Sequence, residues 1–140
     1  MKQLLLRSAP LFGLLALVSA CGTIAGLYEV EQPATLILGG NASTITAPDT
    51  VARNVAFDVK FTSYENKCTE NLREDILVAD DSISIHSFVK VQVQCGDALM
   101  YLLHTAQVRV DVPGTYRIRV HGQKSNASGD VVLSRDIVVR

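Results

Sequence analysis

Residues 106–121, AQVRVDVPGTYRIRVH, decide the fold because two alternating apolar runs flank a Pro-Gly pair. The first run places apolar side chains at Ala106, Val108, Val110 and Val112, and the second at Tyr116, Ile118 and Val120. Alternation with a period of two predicts half-buried β-strands, each with one face toward a core. Pro113 and Gly114 predict the turn between the two strands.

The same period extends outward along the chain. A core face is predicted at Val55, Phe57, Val59 and Phe61, and another on the odd-numbered residues from Ile83 to Cys95. As one strand this second run would be about 40 Å long, so we expect a turn or bulge near His86 and Ser87. Further strands are predicted at 34–38, 43–46, 75–79 and 131–139. Turns are predicted at 39–41, 48–49 and 80–81, and a hairpin loop at 122–129. The sequence therefore predicts an all-β, antiparallel β-sandwich of about seven to eight strands.

The segment Asp111–Tyr116 resembles the turn before a late strand in immunoglobulin-like domains. That resemblance implies a tyrosine corner, in which the Tyr116 hydroxyl bonds to backbone a few residues upstream. A simple inward-facing aromatic ring is the alternative. Because the chain has no Trp and its cysteines are placed differently, the resemblance is to the immunoglobulin-like sandwich architecture and not to antibody domains.

The N-terminus has the composition of a secretory leader. Lys2 and Arg7 precede a short apolar stretch, residues 9–18, which ends in the small residues Ser19 and Ala20. Such a stretch has the length of a signal-peptide apolar region and is too short to cross a bilayer. Residues 1–20 are therefore predicted to be a signal peptide, residues 21–32 a tether, and residues 33–140 the β-sandwich domain.

Val18-Ser19-Ala20-Cys21 resembles the lipobox of bacterial lipoproteins. The resemblance implies cleavage between Ala20 and Cys21, a diacylglycerol thioether and a fatty acyl group such as palmitate on Cys21, and a membrane anchor through these chains. In the same family Gly22, as opposed to Asp, implies the outer membrane. A plain secretory signal with an ordinary thiol at Cys21 is the alternative.

Cysteine number predicts one disulfide. The chain has three cysteines, and if Cys21 carries lipid, Cys68 and Cys95 remain as an even pair in an oxidising compartment. A Cys68–Cys95 bond would close a loop of about 28 residues. Two free thiols or a metal pair are the alternatives, and the absence of a Cys-x-x-Cys motif argues against a redox site.

The charge balance disfavours a nucleic-acid partner. The whole chain has 13 basic and 14 acidic residues, and without Lys2 and Arg7 the balance becomes 11 to 14. No basic stripe of the kind that nucleic acid requires is visible. Arg117, Arg119 and Lys124 form at most a modest basic face.

Metal and catalytic signals are weak. His86, Cys95, Met100 and His104 are cupredoxin-type residues, but Met100 precedes His104, whereas a copper loop needs the order Cys, His, Met. Met100 is assigned to the core. The three histidines have no zinc spacing, and no nucleophile motif is present. The acidic residues are interpreted as a solvated loop: Glu70, Glu74, Asp75, Asp80 and Asp81.

Two functional hypotheses follow from the sequence. In the first, the protein is a membrane-anchored, non-catalytic binding or assembly module of the cell envelope, without metal or cofactor, whose edge strand or loops bind a protein or envelope partner. In the second, it is a metal carrier or small envelope enzyme that uses His104 and the acidic loop.

Overall fold

The computed structural model describes residues 29–38, 43–93, 96, 98–125 and 128–140, so that the leader, Cys21, Cys95 and the predicted turn at 39–41 lie outside the described part. Within it the chain is all-β, with two sheets, as the sequence predicts. Three of its ten strands have only two residues, which leaves seven longer ones. The strands are β1 (Glu29–Pro33), β2 (Thr35–Leu36), β3 (Ile45–Thr46), β4 (Thr50–Val51), β5 (Phe57–Asn66), β6 (Thr69–Ala79), β7 (Ser82–Gln92), β8 (Leu99–Val108), β9 (Gly114–Lys124) and β10 (Asp130–Val139).

The larger sheet is built around β7. One edge of β7 pairs with β6 along nearly its whole length, and the other edge is shared by β9, opposite residues 82–86, and β1, opposite residues 88–92. β10 and β4 continue this sheet beyond β9, while β3, β5 and β8 form the smaller sheet. Three pairs are parallel (β7–β9, β2–β9 and β4–β10), so the sandwich is mixed and not purely antiparallel.

The expected interruption near His86 and Ser87 is absent, because β7 runs unbroken for 11 residues. What changes at Ser87 is the neighbouring strand: the backbone amide of Ala34 donates to the Ser87 carbonyl where the chain passes from β1 to β2. The bulge lies instead on β6, between Asn71 and Arg73. A long strand fits here because β9 and β1 share one of its edges, each pairing with five of its residues.

The predicted core faces are correct in the middle of the strands. Buried side chains from both sheets meet between the layers, among them Phe57, Val59, Phe61, Ile83, Ile85, Val108, Ile118 and Val120. The prediction is wrong for Val55 and Val112, which are 57% and 58% exposed. Val55 follows Asn54, whose φ of 62° turns the chain before β5 begins, and Val112 lies in the turn after β8.

Two local predictions concern the ends of the strands. The Tyr116 hydroxyl donates to the Val112 carbonyl oxygen at 3.0 Å, which is the hydrogen bond expected of a tyrosine corner. At 34–38, where one strand was predicted, the chain instead crosses from β1, which pairs with β7, to β2, which pairs with β9. β1 itself occupies residues 29–33, most of which had been assigned to the tether. A Cβ on Gly122 would collide with the Ala34 carbonyl and the Leu36 side chain, so this crossing requires glycine at position 122.

Candidate functional site

A polar cluster centred on His104 lies between the two sheets. His104 is on β8 and is fully buried, and its ring stacks on Phe61 with centroids 4.8 Å apart. Its Nε2 lies 2.8 Å from the Ser63 hydroxyl on β5, and its Nδ1 lies 2.8 Å from the Ser87 hydroxyl on β7. The cluster therefore joins the small sheet to the large sheet through one imidazole ring.

The neighbours of Ser63 define the direction of these hydrogen bonds. Ser63 donates its single proton to the Glu65 carboxylate, which also accepts from the backbone amide of Thr35. The Ser63 oxygen is then left to accept from Nε2–H of His104, and Nδ1 accepts from the Ser87 hydroxyl. The hydrogen bonds thus form a chain through the interior, in which Ser87 donates to His104, His104 donates to Ser63 and Ser63 donates to Glu65.

Burial keeps this histidine neutral. Desolvation lowers the pKa of His104 from 6.5 to about 4. Glu74 on β6 lies 3.4 Å from Nδ1, and desolvation raises the pKa of its carboxyl group. Burial likewise raises the pKa of Glu65, while the hydrogen bonds from Thr35 and Ser63 lower it. Desolvation of the ring is thus the cause that keeps His104 uncharged.

The residue types match a hydrolytic triad, but the geometry is closed. Ser63, His104 and Glu74 supply a hydroxyl, an imidazole and a carboxylate within reach of one another. However, Ser63 and His104 are both fully buried, and both ring nitrogens already have serine partners. A nucleophile has to meet its substrate, and no substrate atom can approach Ser63 without opening the sandwich. The cluster is built as an internal connection between sheets.

The lowered pKa of His104 predicts an acid-sensitive domain. Between pH 6.5 and about 4 the unfolded chain binds a proton at this ring and the folded chain does not, so stability falls as the pH falls. The loss across that window should be about 3 kcal/mol, offset at its acid end by Glu65 and Glu74, whose raised pKa values act in the opposite direction. Urea unfolding at pH 7.5, 5.5 and 4.5 measures it.

The control for this prediction is His104→Gln, which cannot titrate. Its free energy of unfolding should be lower at pH 7.5 but should depend much less on pH between 6.5 and 4. An equal pH dependence in the two proteins would assign the effect to other groups. The first of these is His121, whose pKa is lowered by burial and by the positive groups of His86 and Arg119, against the opposing charge of Asp130.

The other two histidines form a pair on the outer face of the large sheet. The parallel pairing of β7 and β9 places His86 opposite His121, and the rings stack with centroids 4.3 Å apart. They line a shallow cleft of about 120 Å³ together with Pro33 and Asp130. Nε2 of His121 is buried and has no hydrogen-bond partner among the described residues. Sequence spacing cannot reveal this pair, since 35 residues separate its members.

Strand β6 is the most exposed element of the larger sheet. It pairs with β7 on one side, and no described strand hydrogen-bonds its other side. The three described strands of the small sheet leave the last part of β6 uncovered, and Ile76, Leu77 and Val78, which alternate between its two faces, are all exposed. The outward edge of β6 is therefore a row of free backbone groups beside uncharged apolar side chains. We call residues 76–79 the apolar edge.

Several predicted site residues occupy different places from those expected. Glu70, Glu74 and Asp75 lie within β6, so this part of the acidic stretch is an edge strand and not a loop, while Asp80 and Asp81 form its turn to β7. Met100 is exposed and not in the core. The structure does bring His104 to the acidic strand, through Glu74. Arg117 is paired with Asp136 by two hydrogen bonds.

The cysteines are only partly described. Cys68 lies in the turn before β6 and is not a free thiol. Cys95 and Cys21, with the cleavage position after Ala20, lie outside the described residues. The pairing of Cys68 with Cys95 and the lipidation of Cys21 therefore stay predictions.

Wider searches give no further assignment. No helix in the described ranges is both long and apolar enough to cross a membrane. In the same ranges no group of three or more His, Cys, Asp or Glu side chains is arranged to hold a metal ion. Comparison with protein-family models, with curated proteins and with solved structures gives no match, so the function has to be argued from the molecule itself.

Proposed function

We propose that this protein is a lipid-anchored module of the bacterial cell envelope that binds a protein partner by strand addition to the apolar edge of β6, without catalysis. The observation that carries the proposal is the exposed apolar edge itself. Soluble proteins normally protect a long edge strand with lysine, proline, a bulge or a covering element. In β6 the one bulge and all the charged side chains lie at residues 70–75, and none lies at 76–79.

Strand addition suits this surface for two reasons. An extended peptide that pairs with β6 gains main-chain hydrogen bonds along the edge, and its alternate side chains contact both faces. Ile76 and Val78 point toward the side that the small sheet leaves uncovered, while Leu77 points to the opposite face and is 64% exposed. The partner's chemistry is therefore an extended segment with apolar side chains on both faces.

The closed geometry of the His104 cluster supports a binding function over an enzymatic one. The alternative, a metal carrier or envelope enzyme based on His104, requires at least one ring nitrogen to be available. Both nitrogens are hydrogen-bonded in the interior, to Ser63 and Ser87.

The binding proposal is tested by Leu77→Lys. A lysine on the edge should block strand addition and weaken partner capture by about tenfold or more, while the stability of the isolated domain stays within about 1 kcal/mol. The measurement is photo-crosslinking from position 78 in intact cells, with identification of the crosslinked segment.

The matched control is Val55→Lys, because Val55 is 57% exposed in a loop before β5 and away from any edge. This variant should capture the partner as well as the natural protein does. Equal capture by the natural protein and by the Leu77→Lys variant would refute the edge as the binding surface. Backbone hydrogen exchange supplies a second readout, since strand addition should protect the amides of residues 76–79.

The anchor is the second part of the proposal, and it is supported by the order of charge, apolar length, small residues and cysteine at residues 1–21. Two or more acyl chains at Cys21 would hold the protein stably at a membrane, and Gly22 favours the outer membrane. Intact-mass measurement of the processed protein should find an N-terminus at Cys21 with added hydrocarbon. A different N-terminus, or an unmodified Cys21, would contradict the anchor.

The Cys68–Cys95 disulfide is the third part, and backbone contacts support it from both sides of the gap. The amide of Gln92, the last residue of β7, donates to the Cys68 carbonyl at 3.3 Å. The amide of Lys67 donates to the Ala98 carbonyl at 2.9 Å. Gln92 and Ala98, which are described on either side of Cys95 in the sequence, thus both lie beside the turn that holds Lys67 and Cys68, as a Cys68–Cys95 bond would require.

A further inference from the structure

We propose that the end of the sandwich where β1 begins is a lipid-contacting surface, which lies in the headgroup region of the membrane with Leu99 and Tyr101 against the bilayer. The inference rests on the proposed anchor at Cys21 and goes beyond it, because an anchor alone does not orient the domain. We call this end the tether end.

The tether end is defined by strand pairing. Glu29, the first residue of β1, lies opposite Gln92 at the end of β7. The turn that contains Lys67 lies beside Gln92, and Asn66 pairs with Leu99 at the start of β8. The end of β9 belongs to the same region, because a cleft is lined jointly by Gln32, Leu99 and Lys124. The chain that leads back to Cys21 therefore leaves the domain among these residues.

The length of that chain brings the tether end close to the membrane. Seven residues lie between Cys21 and Glu29, and the eight steps along the chain span at most about 28 Å even when fully extended. A ten-residue strand such as β8 is itself about 33 Å long. With the lipid embedded at Cys21, the domain meets the bilayer first with the end that holds Glu29.

The side chains at this end have the chemistry of a membrane interface. Exposed apolar groups cluster there, namely Val30, Val93, Leu99, Met100 and Tyr101. Tyrosine is enriched at the headgroup level because its ring is apolar and its hydroxyl is polar. Lys67 is exposed in the turn after β5 and Lys124 is exposed at the end of β9, where long stems can lie along apolar surface while the ammonium groups reach phosphates.

Contact with lipid would explain why large apolar side chains are exposed on the outer face of β8 near this end. Leu99, Tyr101 and Leu103 lie on the outer face of the small sheet, where Tyr101 contacts the ring of Tyr64. This face continues the apolar surface from the tether end along the first half of β8. Of the acidic groups described near this end, Glu29 and Glu31 form ion pairs with Lys90 and Arg73. Glu70 lies opposite Lys90 in the strand register, and Glu65 is buried.

Tryptophan fluorescence tests the orientation, because the natural chain has no tryptophan. Leu99→Trp reports on the tether end, and Val112→Trp is the matched control at the opposite end, since the natural side chains are 56% and 58% exposed. Each full-length, processed protein is placed in phosphatidylethanolamine–phosphatidylglycerol vesicles with brominated acyl chains. We expect the Leu99→Trp protein to be quenched by about twofold or more and the Val112→Trp protein to be unaffected.

The outcomes separate this inference from the anchor. If the protein floats with the vesicles but neither variant is quenched, or both are quenched equally, the orientation is refuted and the anchor stands. If the natural protein does not float with vesicles, the anchor fails and the orientation fails with it. Tyr101→Trp repeats the test should the Leu99 variant be poorly folded. A protein adduct, in place of a lipid adduct, from a photo-crosslinker at position 99 in cells would also refute the lipid surface.

Discussion

Replacement of His104 by alanine is expected to lower the free energy of unfolding by about 4 kcal/mol, a large part of the stability of a small domain. The variant loses the ring that stacks on Phe61 and leaves a cavity between the sheets. It also leaves the hydroxyl of Ser87 without its imidazole acceptor, and an unsatisfied buried polar group costs about 1–3 kcal/mol. Urea unfolding at pH 7.5, where His104 is neutral, measures the loss.

His86→Ala is the matched control, since His86 is exposed on the outer face of the larger sheet, where its ring stacks on His121. It should change the free energy of unfolding by less than about 1 kcal/mol. A similar loss in both variants, or a loss below about 1 kcal/mol for His104→Ala, would show that the interior cluster does not hold the sheets together.

Removal of the proposed disulfide is expected to have the next largest effect. The double variant Cys68→Ser, Cys95→Ser should be less stable by about 3.5 kcal/mol, because a closed loop of about 28 residues no longer restricts the unfolded chain. Urea unfolding of both proteins, with and without reductant, measures the difference.

The reductant provides the internal control for this prediction. It should lower the stability of the natural protein to that of the double variant and leave the double variant unchanged. Alkylation followed by non-reducing mass spectrometry should find Cys68 and Cys95 linked. Two alkylated thiols at these positions, with no effect of reductant, would contradict the pairing.

The buried cluster and the apolar edge are physically connected through β6. Asn71 on β6 donates to the Leu103 carbonyl on β8 at 2.9 Å, and Glu74 packs near His104, so this part of β6 is tied to the small sheet. Residues 76–79 extend beyond the cover of the small sheet. A strand edge that is held in place at one point and exposed beyond it is suited to strand addition, because a preformed edge loses little conformational entropy when a partner binds. If β6 binds a partner as proposed, the cluster would contribute by positioning this strand.

Much of the candidate site was outside the reach of sequence reasoning. His104 was singled out as a possible ligand, but its partners Ser63 and Ser87 carry no motif and were not identified. Alternation could have indicated them, since each occupies a core-facing position in an apolar run. The apolar edge at 76–79 was correctly predicted as a strand, but its exposure depends on the width of the opposite sheet.

The sequence by itself determined the all-β class and the inward faces of β5, β7, β8 and β9, because a strand with one buried face records its burial in every second residue. It also predicted the turn at Asp80 from neighbouring residues, whereas the hydrogen bond of Tyr116 was implied only by a resemblance that left a simple inward-facing ring as the alternative. Only the tertiary structure decided that β7 exchanges one partner for another at Ser87, that His86 meets His121, and that His104 is enclosed. These features arise from pairing between distant segments. Such pairings are selected by how the two sheets pack together, and this packing produces no pattern among neighbouring residues in the sequence.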